Sequence, residues 1–315
     1  MYLSNAKTCS LIMMFFLLAQ SINHSVIADT PMINTGETVQ VSKNVFIIPD
    51  NRINLVPNVG IIIGDDSVMV VDTGMGPKNA LLVLEEVRKI TDKPIAYLAI
   101  THFHPEHGMG AQAFPEDTRI IVPLAQEQEL AEKGQAYIEF FNSMSPEIAE
   151  LLAEVELQAP DITFDHKLEI DLGGQLVELY YFHTAHTRGD MFVFLPDQKL
   201  LFGGDIILER FFPIMPDPDS SALGWMATLK KLKALQPEII IPGHGEVGGI
   251  DLIDQLLIYL NAMKVQVANQ KKNGASLEQS FAALIPQFSR SYSHWDNPQW
   301  IQNAVEHFYK ELEAR

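Results

Sequence analysis

The chain predicts an α/β fold in which two β-sheets pack face to face with helices outside. Three observations point there. Between Val68 and Ile100 a strand-type segment, a helix-type segment and a second strand-type segment follow one another, the local order of an α/β unit. Each half of the chain then offers a group of strands followed by helices, a coarse duplication without a short repeat. In both halves histidines and aspartates collect where strands end, which is where such folds carry ligands.

The elements follow in order. Val45 to Val71 is strand-rich, and Ile61-Ile62-Ile63 and Val68-Met69-Val70-Val71 flank a Gly64-Asp65-Asp66-Ser67 turn, a hairpin of strands dense enough to be buried. The second strand ends in Asp72-Thr73-Gly74. Gly76-Pro77 opens a helix through about Lys89, with proline in the first turn and Leu81, Leu84, Val87 and Ile90 at helical spacing. Ile95–Ile100 and Ile120–Val122 read as further strands. Residues 124–158 have helical composition and form an insertion, whose Tyr137, Phe140 and Phe141 read as ordinary packing rather than a lid. Strands resume at Lys167–Ile170 and Leu176–Tyr181. Met191–Leu195 and Lys199–Phe202 make a hairpin about Pro196-Asp197. The apolar loop Phe211–Met215 suits a partly hydrophobic substrate or the core. A helix from about Ser221 to Leu235, the strand Ile239–Ile241 and C-terminal helices over about 251–315 complete the chain.

Bulk properties narrow the partners. Forty acidic against 22 basic residues give a formal charge of −18, which disfavours nucleic acid and anionic membranes. A hydrophobic content of 47% supplies a core for one large domain, here residues 29–315. Residues 1–28 read as an export signal: Lys7, the apolar run Leu11–Ala19, and small residues at Val26-Ile27-Ala28 before Asp29. The run is short for a membrane span, although an uncleaved anchor is the alternative. Cleavage implies a periplasmic or secreted protein with no stable membrane partner. The single cysteine, Cys9, precedes the apolar run, so the mature chain has neither disulfide nor thiolate ligand.

The chemistry concentrates in Thr101-His102-Phe103-His104-Pro105-Glu106-His107-Gly108. In extended backbone, residues i and i+2 share a face, so His102 and His104 can grip one cation. Pro105 fixes its own φ and turns the path, letting Glu106 and His107 point elsewhere. One loop thus feeds two adjacent metal positions, with a donor set suited to Zn²⁺ or another first-row dication. Unrelated loop histidines would not reach this density at the end of a strand. Asp72, His186, Asp205 and His244 also leave strand ends.

In order and local wording these residues resemble the metallo-β-lactamase superfamily. Its five motifs are matched by Val71-Asp72-Thr73-Gly74, the His102–His107 run, Ala185-His186-Thr187, Gly204-Asp205 and Pro242-Gly243-His244-Gly245. The resemblance covers about residues 45–250 and implies an αββα four-layer sandwich of two mixed β-sheets. It also implies two zinc ions, the first on His102, His104 and His186, the second on His107, His244 and Glu106. Asp205 would bridge them, and Asp72 would brace the site. A hydroxide shared by the ions would then attack a small-molecule lactam, lactone, ester or thioester, a β-lactam among them. One departure is Glu106, where the family usually has aspartate; the extra methylene moves the carboxylate by roughly 1.5 Å. Glu106 is therefore read as a ligand, a water-mediated ligand or a proton-transfer group, and Glu106 and Asp205 are the candidate catalytic carboxylates. Aspartate at 205 separates the chain from lactamase subclasses with a thiolate there.

Other polar residues take lesser roles. His186 alone has the His-Thr-x-Gly-Asp setting, so His183 reads as a supporting or surface residue and Asp190 as a hydrogen-bonding support. His166, His294 and His307 read as structural or exposed. Arg188 and Arg210 lie near ligand loops, where they could meet a substrate carboxylate or simply face solvent. The run Gly224–Leu229 resembles exported hydrolases found beside quinoprotein dehydrogenase and sulfur-oxidation systems, whose substrates are poorly defined. Two alternatives stand beside the hydrolase: a mononuclear iron enzyme resembling persulfide dioxygenases, and a non-catalytic metal-binding accessory protein.

Overall fold

A computed structural model describes residues 30–312; the segment read as an export signal lies outside them. Twelve strands form two mixed sheets among the described residues. The first runs in spatial order β1 (Val39–Ser42), β2 (Val45–Ile48), β3 (Val59–Ile63), β4 (Val68–Val71), β5 (Ile95–Ala99), β6 (Arg119–Pro123) and β7 (Ile162–Phe164). Its first four strands are antiparallel and the remainder parallel. The second runs β12 (Ile239–Ile241), β11 (Leu200–Phe202), β10 (Met191–Leu195), β9 (Leu176–Tyr181) and β8 (Lys167–Asp171), with only the β11–β12 pair parallel.

The two-residue period of the strands sorts their side chains between layers. Ile62, Met69 and Val71 of the first sheet meet Leu179, Met191 and Val193 of the second. Their neighbours Ile61, Val68 and Val70 face the other way, onto Ala80, Val83 and Val87 of helix α1 (Gly76–Ile90). On the far side Phe192, Phe194 and Leu201 pack under helices α5 (Ala222–Ala234), α6 (Ile250–Lys272), α7 (Leu277–Ser291) and α8 (Ile301–Glu311). Four layers result, helix–sheet–sheet–helix. Each such apolar side chain stabilises the fold by about 1.5–3 kcal/mol when fully buried, and the central strands β3, β4 and β10 are buried on both faces. Gly60 sets the closeness of the sheets, because a Cβ there would lie 2.4 Å from the Phe202 ring.

The insertion forms α3 (Leu124–Asn142) and α4 (Pro146–Leu152), after the one-turn helix α2 (Pro105–Gly108). Ser145 caps α4 by accepting from the Ile148 N–H. Tyr137, Phe141, Ile148 and Leu151 close over Phe103 and Met109, which places the insertion beside the histidine cluster. Among the described residues no helix is long and apolar enough to cross a membrane.

Candidate metal centre

Parallel strands β4 and β5 end side by side, and each delivers part of the site. Asp72, just past β4, holds a positive φ of 67°, and accepts from the Thr101 N–H (2.7 Å) and the Thr101 hydroxyl (2.9 Å) just past β5. Its Oδ2 also lies 2.9 Å from Nδ1 of His107. With Nδ1–H donated there, Nε2 of His107 is free for the site. Where proline was expected only to bend the chain, Pro105 begins the turn α2 and His104 precedes it in extended conformation. That turn carries Glu106 and His107 away from His102 and His104.

The other loops are held as firmly. His186 directs Nδ1 to the Ile214 carbonyl at 2.6 Å, and its own carbonyl accepts from the Ser220 hydroxyl. Asp190 takes the Thr187 N–H and hydroxyl, acting as the expected support. His244 directs Nδ1 to the Val56 carbonyl at 2.9 Å. Gly243 leaves room for the bridge: a Cβ there would lie 2.1 Å from Oδ1 of Asp205.

Two donor sets emerge. Nε2 of His102, Nδ1 of His104 and Nε2 of His186 are 3.1, 3.1 and 3.3 Å apart. A tetrahedral ion with metal–nitrogen bonds of about 2.0–2.1 Å requires nitrogens about 3.3 Å apart, so the triangle fits one cation. Glu106, His107 and His244 form the second group. Asp205 stands between them: Oδ1 lies 3.4 Å from Nε2 of His107 and 3.6 Å from Nε2 of His244, while Oδ2 lies 3.8 Å from Nε2 of His186. All seven side chains are buried, none more than 8% exposed. Oε2 of Glu106, Nε2 of His107 and Oδ1 of Asp205 have no hydrogen-bond partner there. Buried polar atoms are rarely left so, and a cation would satisfy all three. The longer arm of Glu106 still reaches the second group.

The electrostatics differ between the two groups: they favour ligating forms of His102, His104 and Asp205, and the protonated forms of His107 and Glu106. Burial, then the neighbouring imidazoles, hold His102 well below the ordinary histidine pKa. Burial and His186 do the same to His104. Both are thus neutral, the form that ligates. Burial opposes the charge on Asp205, yet His244 and His107 keep its carboxyl well below the usual range. Burial also opposes the charge on His107, but Asp205 and Asp72 raise its pKa well above the ordinary value. Burial pushes the Glu106 carboxyl up.

The donor sets open on a cavity lined by His104, His186, Glu106 and Asp205 at one end. Tyr137, Phe140, Phe141, Ile214 and Met215 form much of its wall, and α8 closes the other side. The packing expected of the insertion holds, since Tyr137 and Phe141 are buried in a core cluster; the same residues also line the cavity, with the Tyr137 ring stacked on His104 at 4.8 Å and 18°. His307, read as structural or exposed, is buried on the cavity wall and bonded to the Met215 backbone. Asn303 donates to the same carbonyl at 3.1 Å. His183 lies outside the site beside Lys231, and His166 and His294 are exposed. The arginines do not reach the cavity. Arg188 is drawn to Glu129, Glu132 and Asp219, and Arg210 to Glu209 and Glu246.

Sequence reasoning missed Asp50 and Asn58. Asn58 donates to the carbonyls of Pro242 (3.0 Å) and Gly245 (2.8 Å) and accepts from the Asp50 N–H (3.0 Å). Asp50 in turn accepts from the Gly245 N–H at 2.8 Å. Together they hold the His244 loop from more than 180 residues away, and nothing local in the sequence signals that role. Lys133 was missed too; it joins Glu129, Asp217 and Asp219 within 2.7–2.9 Å, tying α3 to the loop behind His186.

Two facing mixed sheets between helical layers, with His and carboxylate donors gathered at strand ends, define an α/β metal-site protein. The family model of the metallo-β-lactamase superfamily matches residues 53–244, and the chain belongs to that superfamily. It is 27% identical over 224 residues to a linear primary-alkylsulfatase from Pseudomonas sp. (strain ATCC 19151), covering 61% of this chain and 42% of that protein. It is 30% identical over 118 residues to a type 2 metallo-β-lactamase from Bacteroides fragilis, covering 36% of this chain and 46% of that one. The chain thus spans less than half the length of either relative in these matches. Among solved structures, the stereoselective inverting sec-alkylsulfatase Pisa1 from Pseudomonas sp. matches with a TM-score of 0.68 at 16% identity, over 87% of this chain and 50% of that chain. A metallo-β-lactamase from Pontibacter korlensis matches with a TM-score of 0.58 at 21% identity, over 71% and 98%. At these identities the structures speak for the fold.

Proposed function

We propose that this protein is a metal-dependent hydrolase that cleaves a lactam, lactone, ester, thioester or sulfate ester of a small molecule. The observation that carries the reading is Asp205, placed between two donor sets that open on one cavity. The similarity to alkylsulfatases and metallo-β-lactamases suggests the sulfate-ester and lactam members of the substrate range.

In this reading His102, His104 and His186 would hold one zinc ion, Glu106, His107 and His244 would hold a second, and Asp205 would be a ligand available to either. Zinc supplies Lewis acidity and lowers the pKa of water toward neutrality. The chain's own contribution is positional. Asp72, Val56 and Ile214 fix which nitrogen each of His107, His244 and His186 presents. Glu106, whose carboxyl burial pushes up, is the carboxylate on the cavity lining suited to take up a proton released during hydrolysis, and Asp205 remains ionised as a candidate ligand. The apolar walls orient the substrate body and exclude water from it.

A panel of chromogenic lactam, lactone, carboxylic ester, thioester and sulfate ester substrates tests the reading. The zinc-loaded protein should hydrolyse at least one class and lose that activity to a chelator. Full two-metal occupancy without turnover of any class would refute a hydrolase and favour an accessory role. We also propose that the protein works in the periplasm or outside the cell after removal of residues 1–28, supported by the pattern from Lys7 to Ala28. A mature protein sequenced from Met1 would overturn that.

A further inference from the structure

The cavity wall opposite α3 is built by a part of the chain that the family match, ending at residue 244, does not include. Trp300, Asn303, Glu306, His307 and Lys310, on or beside α8, all line it. Elsewhere its lining is largely aromatic and aliphatic, from Leu55, Tyr137, Phe141, Ile214 and Met215.

The charges on this lining, away from the donor sets, have opposite charges beside them. Asp217 lies 2.9 Å from Lys133. Glu306, buried, lies 2.6 Å from Lys310. Among the described residues Lys310 is the single lysine or arginine on the lining. The arginines nearest the ligand loops, Arg188 and Arg210, are bound to carboxylates outside it. A substrate carboxylate in this cavity would therefore lie among mostly aromatic and aliphatic side chains and beside two carboxylates, Asp217 and Glu306, whose cations are already engaged. Burying a charge without a partner is strongly unfavourable, whereas apolar surface gains from the same burial.

We propose that the cavity selects substrates whose body beyond the reacting group is uncharged and apolar. The inference rests on the hydrolase reading for where the reacting group sits. It narrows that reading to neutral-bodied esters, thioesters, lactones or alkyl sulfate esters, and it sets β-lactams with a free carboxylate on the body among the poor substrates.

A binding test separates this inference from turnover. The protein is loaded with cobalt(II), and 1-pentanethiol is compared with 5-mercaptopentanoate, two thiols of equal chain length whose tails end in methyl or carboxylate. The thiolate-to-cobalt absorption band reports that the sulfur sits on the metal, leaving the tail to sample the cavity. The neutral thiol should bind at least tenfold more tightly. Met144 lies on the cavity lining at 42% exposure, so Met144→Lys adds a cation there with little burial, and should reduce the ratio by about tenfold. Equal affinities in the wild type, or a ratio unmoved by Met144→Lys, would overturn the proposal while leaving the hydrolase reading intact. Loss of the cobalt band altogether would overturn both. A discriminating wild type that hydrolyses no substrate class would uphold the cavity's selectivity and sink the hydrolase.

Discussion

Removing the side chain of Asn58 should loosen one donor set while sparing the other. Asn58→Ala deletes three buried hydrogen bonds, to Pro242, Gly245 and the Asp50 N–H. A buried polar group stripped of its partner costs about 1–3 kcal/mol. Three such groups sum to about 3–9 kcal/mol, and water entering the vacated space brings the expectation to the lower end, about 3–5 kcal/mol. That is a large fraction of a typical folding stability of about 5–15 kcal/mol. The loosened segment carries His244, which keeps its bond to Val56, the Asp50 bond at Gly245 and backbone bonds to Gly204, Ile207 and Glu209, so the change should appear as a displaced ligand rather than a detached loop. Urea unfolding in the presence of chelator isolates the hydrogen-bond contribution, since bound metal would otherwise stabilise the folded state. Zinc titration then asks which site weakens, and the affinity of the Glu106–His107–His244 set should fall while that of the His102–His104–His186 set holds. A stability loss below about 1 kcal/mol, or equal weakening of both sites, would show that Asn58 does not organise the His244 loop.

Three further outcomes follow from the same geometry. Glu106→Asp should lose the second metal first, because ligation tolerates only about 0.2 Å and the pocket is built around the longer arm; undiminished two-metal occupancy would show that the arm length is immaterial. Asp205→Ala should lose metal and hydrolysis together, whereas His183→Ala, at the surface beside Lys231, should keep both; equal metal retention in the two would refute the donor assignment. Glu86 is buried, and although burial opposes its charge, Lys89, Thr38 and the Gly36 N–H lower its pKa below the ordinary value. Its stabilisation is complete above the unfolded carboxyl's pKa and is lost as pH falls through the lower folded value. Glu86→Gln should therefore flatten the stability-versus-pH slope in that acid window and destabilise by about 1–3 kcal/mol near neutrality; an unchanged acid slope in urea titrations would rule this out.

Much of this was legible in the sequence because it is local. Ile61–Ile63 and Val68–Val71 are too dense in β-branched and aliphatic residues for an exposed segment, and they form adjacent strands with both faces buried. The helix opened by Pro77 and the one beginning near Ser221 carry their own start signals. The strands Val39–Ser42 and Ile162–Phe164 were not legible: both are short edge strands, held by pairing rather than by a hydrophobic pattern of their own. His102, His104, Glu106 and His107 were visible as a cluster, since one loop carries all four.

By itself, then, the sequence determined the strand and helix periods, the clustering of donor residue types at strand ends, and the acidic balance of the surface. Only the tertiary structure decided what lies between the strands and around the donors. It set Asp205 between two groups of histidines drawn from separate loops, and turned Arg188 and Arg210 outward to carboxylates. It also made Tyr137 and α8 into cavity walls and let Asn58 hold a loop 184 residues away. The physical reason is range. Backbone conformation and hydrophobic period are settled by neighbours along the chain, whereas ligation, charge pairing and cavity lining depend on which distant surfaces packing brings together.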